Sequence, residues 1–212
     1  MTLVLFAVPE EAAPFRRLAG TSDGRVIVVT GMGAANARRE TTKALATRPA
    51  LVLTCGFAGG LDPILASGDV LFSLDPGLDW AARLQTAGAR AGSFHCAPRV
   101  AVTAAEKAAL RTSTGADAVE MESQVVRELC RAEGIPSATI RVILDTAGED
   151  LPLDFNALLN ERQELAPAKL AAALLRSPWK VPALIRLRSQ TNAAAARLAA
   201  VLATVTETPP GR

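Results

Sequence analysis

Apolar positions along this chain of 212 residues occur in short runs, separated by stretches with helical spacing. Short continuous apolar or β-branched runs are typical of strands that are buried on both faces. They predict strands over 2–8, 25–30, 50–55, 68–74, 100–103, 116–119 and 138–144. The stretches between and after them predict helices over 10–18, 34–47, 104–111, 123–133, 155–164, 167–176 and 183–202. Alternating strands and helices predict an α/β fold with a mostly parallel central sheet flanked by helices on both faces.

Glycine and proline interrupt this pattern at a few places. Residues 75–98 contain several of both and are predicted to be mainly loop, while the glycines of 31–33 and 56–60 predict turns after the second and third strands. No repeat or linker is visible, so we expect a single domain over 1–204. The remaining residues, 205–212, are predicted to be a disordered tail.

Composition narrows the class of protein. Half of the residues are hydrophobic and the net charge is only +2, which argues against a nucleic-acid partner. The apolar start of the chain lacks a basic region, and no window reaches the roughly 18 apolar residues of a membrane span. We therefore expect a cytoplasmic protein. The three cysteines are widely spaced, which predicts neither a disulfide framework nor a metal site.

Acidic and glycine-rich segments follow the predicted strands. Such segments are Glu10-Glu11, 31–33, 56–60, Glu120 to Glu122, and Asp145. In an open α/β sheet, ligands bind beyond the carboxyl ends of the strands, so these residues are expected to converge on one pocket. Each has a structural alternative, since an acid in a first helical turn often caps the helix and a glycine-rich turn is often only a turn.

Four motifs occur in a fixed order: GMGAANA from Gly31, GFAGGL from Gly56, AVEMES from Ala118, and RVILDTA from Arg141. This series resembles the nucleoside phosphorylase and nucleosidase family, which includes methylthioadenosine/S-adenosylhomocysteine nucleosidase, over roughly residues 1–150. The later segment WKVPALIRL, from Trp179, is similar to the hopanoid-biosynthesis phosphorylases of that family.

The resemblance implies an enzyme that cleaves the N-glycosidic bond of an adenosine-type purine nucleoside. Asp145 matches the acid that delivers a proton to purine N7, and burial would favour its protonated form. Glu11 matches the general base that activates water, although the adjacent Glu10 is an alternative. Glu122 matches the carboxylate that binds the ribose and faces the positive charge on the sugar. Met121 would pack on that sugar, and the other expected substrate-binding residues are Glu120, Phe57, Ala58, Gly59 and Gly33.

The chain departs from the family pattern mainly where phosphorylases bind phosphate, which is the acceptor of the sugar in their reaction. Phosphorylases of this family carry an Arg-x-Gly-Ser sequence where this chain has TCGF over 54–57, and their phosphate loop near the N-terminus is missing. Leu144 replaces the usual serine before Asp145. We therefore expect water as the acceptor and no cofactor, with phosphate left open as a co-substrate held by Arg16, Arg17 or Arg38.

Other interpretations remain open at this point. The chain could be a family member without catalysis that binds a nucleoside as a sensor or scaffold. A dinucleotide-binding enzyme is disfavoured because Asn36 stands where a third glycine is needed. The resemblance implies a small nucleoside ligand and a homodimer or larger homo-oligomer. The aromatic and basic residues over 179–188 suit either packing on the chain's own domain or contact with an anionic membrane surface.

Overall fold

The computed structural model describes residues 1–19, 24–160 and 163–206. The strands are β1 (Thr2–Phe6), β2 (Arg25–Val29), β3 (Leu51–Gly60), β4 (Val70–Leu74), β5 (Ala89–Ala91), β6 (Phe94–Cys96), β7 (Ala118–Glu120) and β8 (Ser137–Asp145). The helices are α1 (Pro9–Ala19), α2 (Ala34–Leu45), α3 (Ala81–Thr86), α4 (Ala104–Thr114), α5 (Ser123–Ala132), α6 (Phe155–Leu158), α7 (Pro167–Arg176) and α8 (Val181–Thr206). A short 3-10 helix, Pro178–Lys180, joins the last two.

The strands form one mixed sheet in the order β2-β1-β3-β8-β4-β5. Strands β2, β1, β3 and β8 are parallel, and β4 runs antiparallel to β8. The last two residues of β3 also pair with β7, which in turn pairs with β6. Because the four parallel strands end at the same edge, the residues that follow them come together there.

Helices cover both faces of this sheet, as predicted. On one face, α1 and the C-terminal half of α8 pack on β1, β3, β8 and β4 in the largest core cluster. On the other face, α2 and α5 enclose a second cluster around Leu3, Leu5 and Val52. The large cluster therefore joins the first strand of the chain to its last helix. None of the helices in the described part of the chain is long and apolar enough to cross a membrane.

Several predicted boundaries were wrong. The glycines over 56–60 do not form a turn, because β3 continues through them and pairs with β8 and β7. The segment 75–98 contains α3, β5 and β6 rather than mainly loop, and 100–103 is not a strand but the approach to α4, where Thr103 forms a capping box with Glu106.

The C-terminal predictions also change. The helix expected over 155–164 is reduced to α6, which Asp154 caps. The last helix begins at Val181 and continues to Thr206, so the first two residues of the expected tail are helical. The rest of that tail, 207–212, lies outside the described residues.

Candidate active site

One buried cation organises the carboxylates at the ends of the parallel strands. Arg141, in β8, has a side chain that is only 1% exposed. Its Nη2 donates to Glu120 at 2.7 Å and to Glu122 at 3.3 Å. Burial would lower the pKa of Arg141, but Glu120, Glu122 and Glu11 outweigh that effect and raise it. The guanidinium is therefore a permanent positive charge beneath three acidic side chains.

Glu11 lies in the first turn of α1, close to the end of β1. Its Oε2 accepts hydrogen bonds from the backbone N–H groups of Ala7 and Val8 at 2.9 and 3.1 Å, and its Oε1 accepts one from Phe57 at 2.8 Å. Burial raises the pKa of Glu11 to about 7, even though Arg141 and the Phe57 N–H favour the charged form. A carboxyl group with this pKa can exchange a proton near neutral pH.

The neighbouring acid lies in a different environment. Glu10 is exposed on α1, whereas Glu11 is buried. The structure therefore places Glu11, and not Glu10, beside Arg141 and Glu122.

Glu120 and Glu122 differ in what their oxygens contact. Glu120 accepts from the backbone N–H groups of Glu122 and Ser123, from the Ser123 hydroxyl and from Arg141, so its oxygens are occupied within the protein. Glu122 accepts from the backbone N–H groups of Gly33, at 2.8 Å, and Met121, and from Arg141, so fewer of its lone pairs are taken. Burial raises the pKa of Glu122, Arg141 lowers it, and Glu120 raises it further. Glu122 thus retains acceptor capacity for a ligand, while Glu120 holds the turn that presents it.

Two glycines let these groups approach each other. At Gly56, which has φ of 152°, a Cβ would lie 2.6 Å from both Nη1 of Arg141 and Oε1 of Glu11. Any side chain there would separate the two charges. Gly33 has φ of 83°, a conformation that glycine adopts readily, and this turn aims its N–H at Glu122.

Asp145 and a second buried cation lie at the end of β8. Lys107, in α4, is completely buried and forms an ion pair with Oδ2 of Asp145. Lys107 also donates to the carbonyl oxygens of Thr146 and Glu149 at 2.8 and 2.7 Å. Burial raises the pKa of Asp145, and Lys107 opposes that rise.

A change of register brings Asp145 into this position. Ala58 of β3 pairs with Ile143, but the next residue, Gly59, pairs with Asp145, so Leu144 is bulged out of the ladder. Asp145 therefore takes the place beside Gly59 that Leu144 would occupy in a regular strand, where a Cβ on Gly59 would lie 3.4 Å from Oδ2. Bulges are often found where a strand must re-aim a functional side chain.

The other residues that were expected to contact the ligand differ in their surroundings. Phe57 and Met121 are half-buried, and the Met121 methyl lies 3.9 Å from where a Cβ on Gly33 would be. Ala58 does not face an opening, because its side chain belongs to a core cluster with Leu71 and Ile143.

Sequence reasoning missed Arg141 and Lys107 as functional residues. Arg141 stands between Ile140 and Val142 in a buried strand, and its charge was the available signal, since Lys and Arg are rarely buried without a partner. Lys107 follows the capping residue Glu106 in a helix that resembles any surface helix. Nothing in its local sequence indicates that it is buried.

The three arginines considered for phosphate lie elsewhere. Arg16 and Arg17 are exposed in the last turn of α1, at the opposite end of the helix from Glu11. Arg38 is exposed on α2 and lies 3.8 Å from Glu128. Within the described part of the chain, none of the three pairs with a carboxylate of the site, and no group of His, Cys, Asp and Glu is arranged to hold a metal ion.

Solved structures with the same fold include three from bacteria. An S-adenosylhomocysteine nucleosidase from Streptococcus pyogenes, in complex with 5-methylthiotubericidin, is 16% identical, with a TM-score of 0.71 over 99% of this chain and 97% of that one. A 5′-methylthioadenosine/S-adenosylhomocysteine nucleosidase from Neisseria meningitidis, with methylthio-immucillin-A, is 19% identical, with a TM-score of 0.69 over 97% and 98%. A mutant futalosine hydrolase from Helicobacter pylori is 17% identical, with a TM-score of 0.66 over 95% and 97%.

The sequence matches the model of a protein family that is described as "Phosphorylase superfamily", over residues 5–76 and 78–176. This match runs from the end of β1 to the end of α7 and includes Glu11, Glu122, Arg141 and Asp145. It confirms the family resemblance of the sequence motifs: the chain belongs to the phosphorylase superfamily.

Proposed function

We propose that this chain is an enzyme that hydrolyses the N-glycosidic bond of an adenosine-type purine nucleoside. The observation that carries the proposal is the group of buried carboxylates Glu11, Glu120 and Glu122, which share the single guanidinium of Arg141. The nucleosidases and the futalosine hydrolase among the similar structures support the same class of reaction.

The charge of this group suits the sugar side of the reaction. As the bond from C1′ to the base breaks, positive charge develops on the ribose, and a site with excess negative charge stabilises it. Two of the three carboxylates remain uncompensated by Arg141 when all are ionised. Glu122 has acceptor capacity left for ribose hydroxyls, and its burial makes each such interaction stronger than in water.

Glu11 is the proposed general base. The water oxygen forms a bond to C1′ while the bond from C1′ to the base breaks, and the carboxylate of Glu11 accepts the proton that the water loses. The pKa of about 7 suits this role, because the group is a strong enough base to take the proton and yet is ionised at and above neutral pH.

Asp145 is the proposed general acid. The electron pair of the broken bond moves into the purine ring, and the Asp145 carboxyl donates its proton to N7, which leaves a neutral base and a carboxylate. Lys107 then faces that carboxylate. Because Lys107 is also held by two backbone carbonyls, it stays in place whether Asp145 is protonated or not.

The same charges favour water over phosphate as the acceptor. Phosphate is an anion and needs cationic donors. Among the described residues, the cations at these carboxylates are Arg141 and Lys107, and both are buried and already paired. A neutral water molecule does not meet this repulsion.

A nucleoside panel tests the proposal. The protein is incubated with adenosine, 5′-methylthioadenosine, S-adenosylhomocysteine and inosine, with and without inorganic phosphate, and the released base and sugar are identified. We expect free adenine and free sugar at a rate independent of phosphate. A sugar 1-phosphate that appears only with phosphate would overturn hydrolysis. Tight binding of a nucleoside with no product under either condition would favour the sensor or scaffold alternative.

A further inference from the structure

The C-terminal helices contain an apolar surface that the rest of the chain does not cover. None of the ten residues of α7 is buried, although its sequence includes the run LAAALL. In α8, every buried residue lies at Ala194 or later. The first 13 residues of that helix, 181–193, therefore extend past the core for about 20 Å. We name α7, the 3-10 helix and residues 181–193 the C-terminal basic face.

Large apolar side chains are exposed on this face. Leu175 is 84% exposed, Trp179 71% and Ile185 65%. Val181 lies one helical turn before Ile185 and is also exposed. Single exposed apolar residues are ordinary on a protein surface, but a run of them over one helix–turn–helix segment indicates contact with something apolar.

The charge of this face is one-sided. Residues 165–193 contain the five cations Lys169, Arg176, Lys180, Arg186 and Arg188 and no Asp or Glu. The whole chain has 23 Lys and Arg against 21 Asp and Glu, so the remainder has 18 against 21. No described carboxylate lies within ion-pair distance of Arg176, Lys180, Arg186 or Arg188. A partner that binds this face would therefore have to supply the negative charge.

A second copy of this chain would not supply this negative charge if the two copies met face to face about a two-fold axis. In such an interface each patch meets its own equivalent, so ten cations would be brought together without an anion. An anionic lipid surface supplies both missing parts, a layer of negative headgroups and an apolar layer beneath it for Trp, Leu and Ile. We propose that the C-terminal basic face docks on the surface of an anionic phospholipid bilayer.

Vesicle sedimentation tests this proposal on the intact protein. Vesicles of phosphatidylcholine alone are compared with vesicles containing about 30% phosphatidylserine, at low and high salt. We expect binding only to the anionic vesicles, and loss of that binding at high salt. The variant Lys180→Glu/Arg186→Glu/Arg188→Glu should bind about a hundredfold more weakly or worse, since each cation near such a surface contributes about a fivefold factor.

A matched control separates this face from overall charge. Arg16, Arg17 and Arg131 are exposed and lie outside the face. Their replacement by Glu changes the net charge by the same amount and should leave most of the vesicle binding intact. Equal loss in both triple variants would overturn the assignment of the face.

A fluorescence measurement tests the apolar contact. In a Trp80→Phe background, Trp179 is the remaining tryptophan, and its emission should shift to the blue when anionic vesicles are added. Absence of wild-type binding at low salt would overturn the proposal. So would a wild-type dimer that the triple variant dissociates in sedimentation velocity, since the face would then be a subunit interface. Tighter binding to duplex DNA than to vesicles would assign the face to nucleic acid instead.

Discussion

The two buried cations of the site hold their carboxylates in opposite ways. Arg141 is shared by three acidic side chains, and its guanidinium donates hydrogen bonds to Glu120, Glu122, Thr54 and Cys55. Lys107 pairs with one acid, Asp145, and relies on two backbone carbonyls for its position. The difference implies that the first centre holds more carboxyl groups than cations, whereas the second matches one cation to one carboxyl group. The second leaves one carboxyl group free to gain and lose a proton.

The largest effect is expected when the shared cation is removed. Arg141→Met leaves buried carboxylates without a counter-charge, so the free energy of unfolding at pH 8 should fall by about 3–5 kcal/mol and activity should disappear. Urea denaturation measures the loss. Arg127→Met is the control, because Arg127 pairs with Asp75 in a partly exposed position and should cost about 1 kcal/mol.

A second variant keeps this prediction testable if the first one folds poorly. Adding Glu120→Gln to Arg141→Met removes one of the unpaired charges and should restore part of the lost stability. A double variant no more stable than the single one would contradict the idea that charge balance controls this centre.

The next largest effect is expected when Asp145 loses its acidic proton. Asp145→Asn should lower kcat by about 10²–10⁴-fold, because an amide cannot donate a carboxyl proton. Because Lys107 loses its counter-charge in this variant, the unfolding midpoint should fall as well, so kcat is compared at a temperature where circular dichroism shows both proteins folded. Asp79→Asn, at an exposed position, is the control. Full activity of the Asp145→Asn variant would exclude Asp145 as the acid.

The proposed base, Glu11, should determine how kcat depends on pH in the acidic range. The pKa of Glu11 is raised to about 7, and the base must be ionised, so kcat should fall as the pH drops below about 7. Glu11→Gln should lose about 10²-fold or more in kcat and also lose this acidic limb. Glu10→Gln should keep both. A wild-type profile that is flat from pH 5 to 8 would argue against Glu11.

The smallest effect is expected from the cation beside the acid. Lys107 lowers the pKa of Asp145, so Lys107→Met should raise it and move the limb that Asp145 controls to higher pH. The limb due to Glu11 should not move. We also expect kcat to fall by about tenfold with little change in KM, since a positioning group for the acid is lost. Lys43→Met, at an exposed position, should leave the profile as it was.

The sequence predicted the parts of this site that depend on strand ends. Asp145, Glu11 and Glu122 follow recognisable strands and were expected to converge. The two cations were not identified, because their partners are far away in the chain: Arg141 meets Glu120 across 21 positions, and Lys107 meets Thr146 across 39. The pattern of residues in a short stretch of sequence does not indicate contacts with residues so far away in the chain.

The errors in the fold have a similar cause. The glycine-rich end of β3 was predicted to be a turn from local preference, but pairing with β8 on one side and β7 on the other keeps it extended. β5 and β6 are only three residues long, and each is defined by the neighbour it pairs with. Tertiary pairing, rather than residue preference, decides these segments.

The absence of a side chain at position 56 has a consequence for how such a protein can diverge. Exchange of this glycine for alanine would place a methyl group 2.6 Å from both Nη1 of Arg141 and Oε1 of Glu11, closer than non-bonded atoms can lie. Either atom must move for the methyl group to fit, so a chain with alanine at position 56 would lose the present arrangement of Arg141 and Glu11.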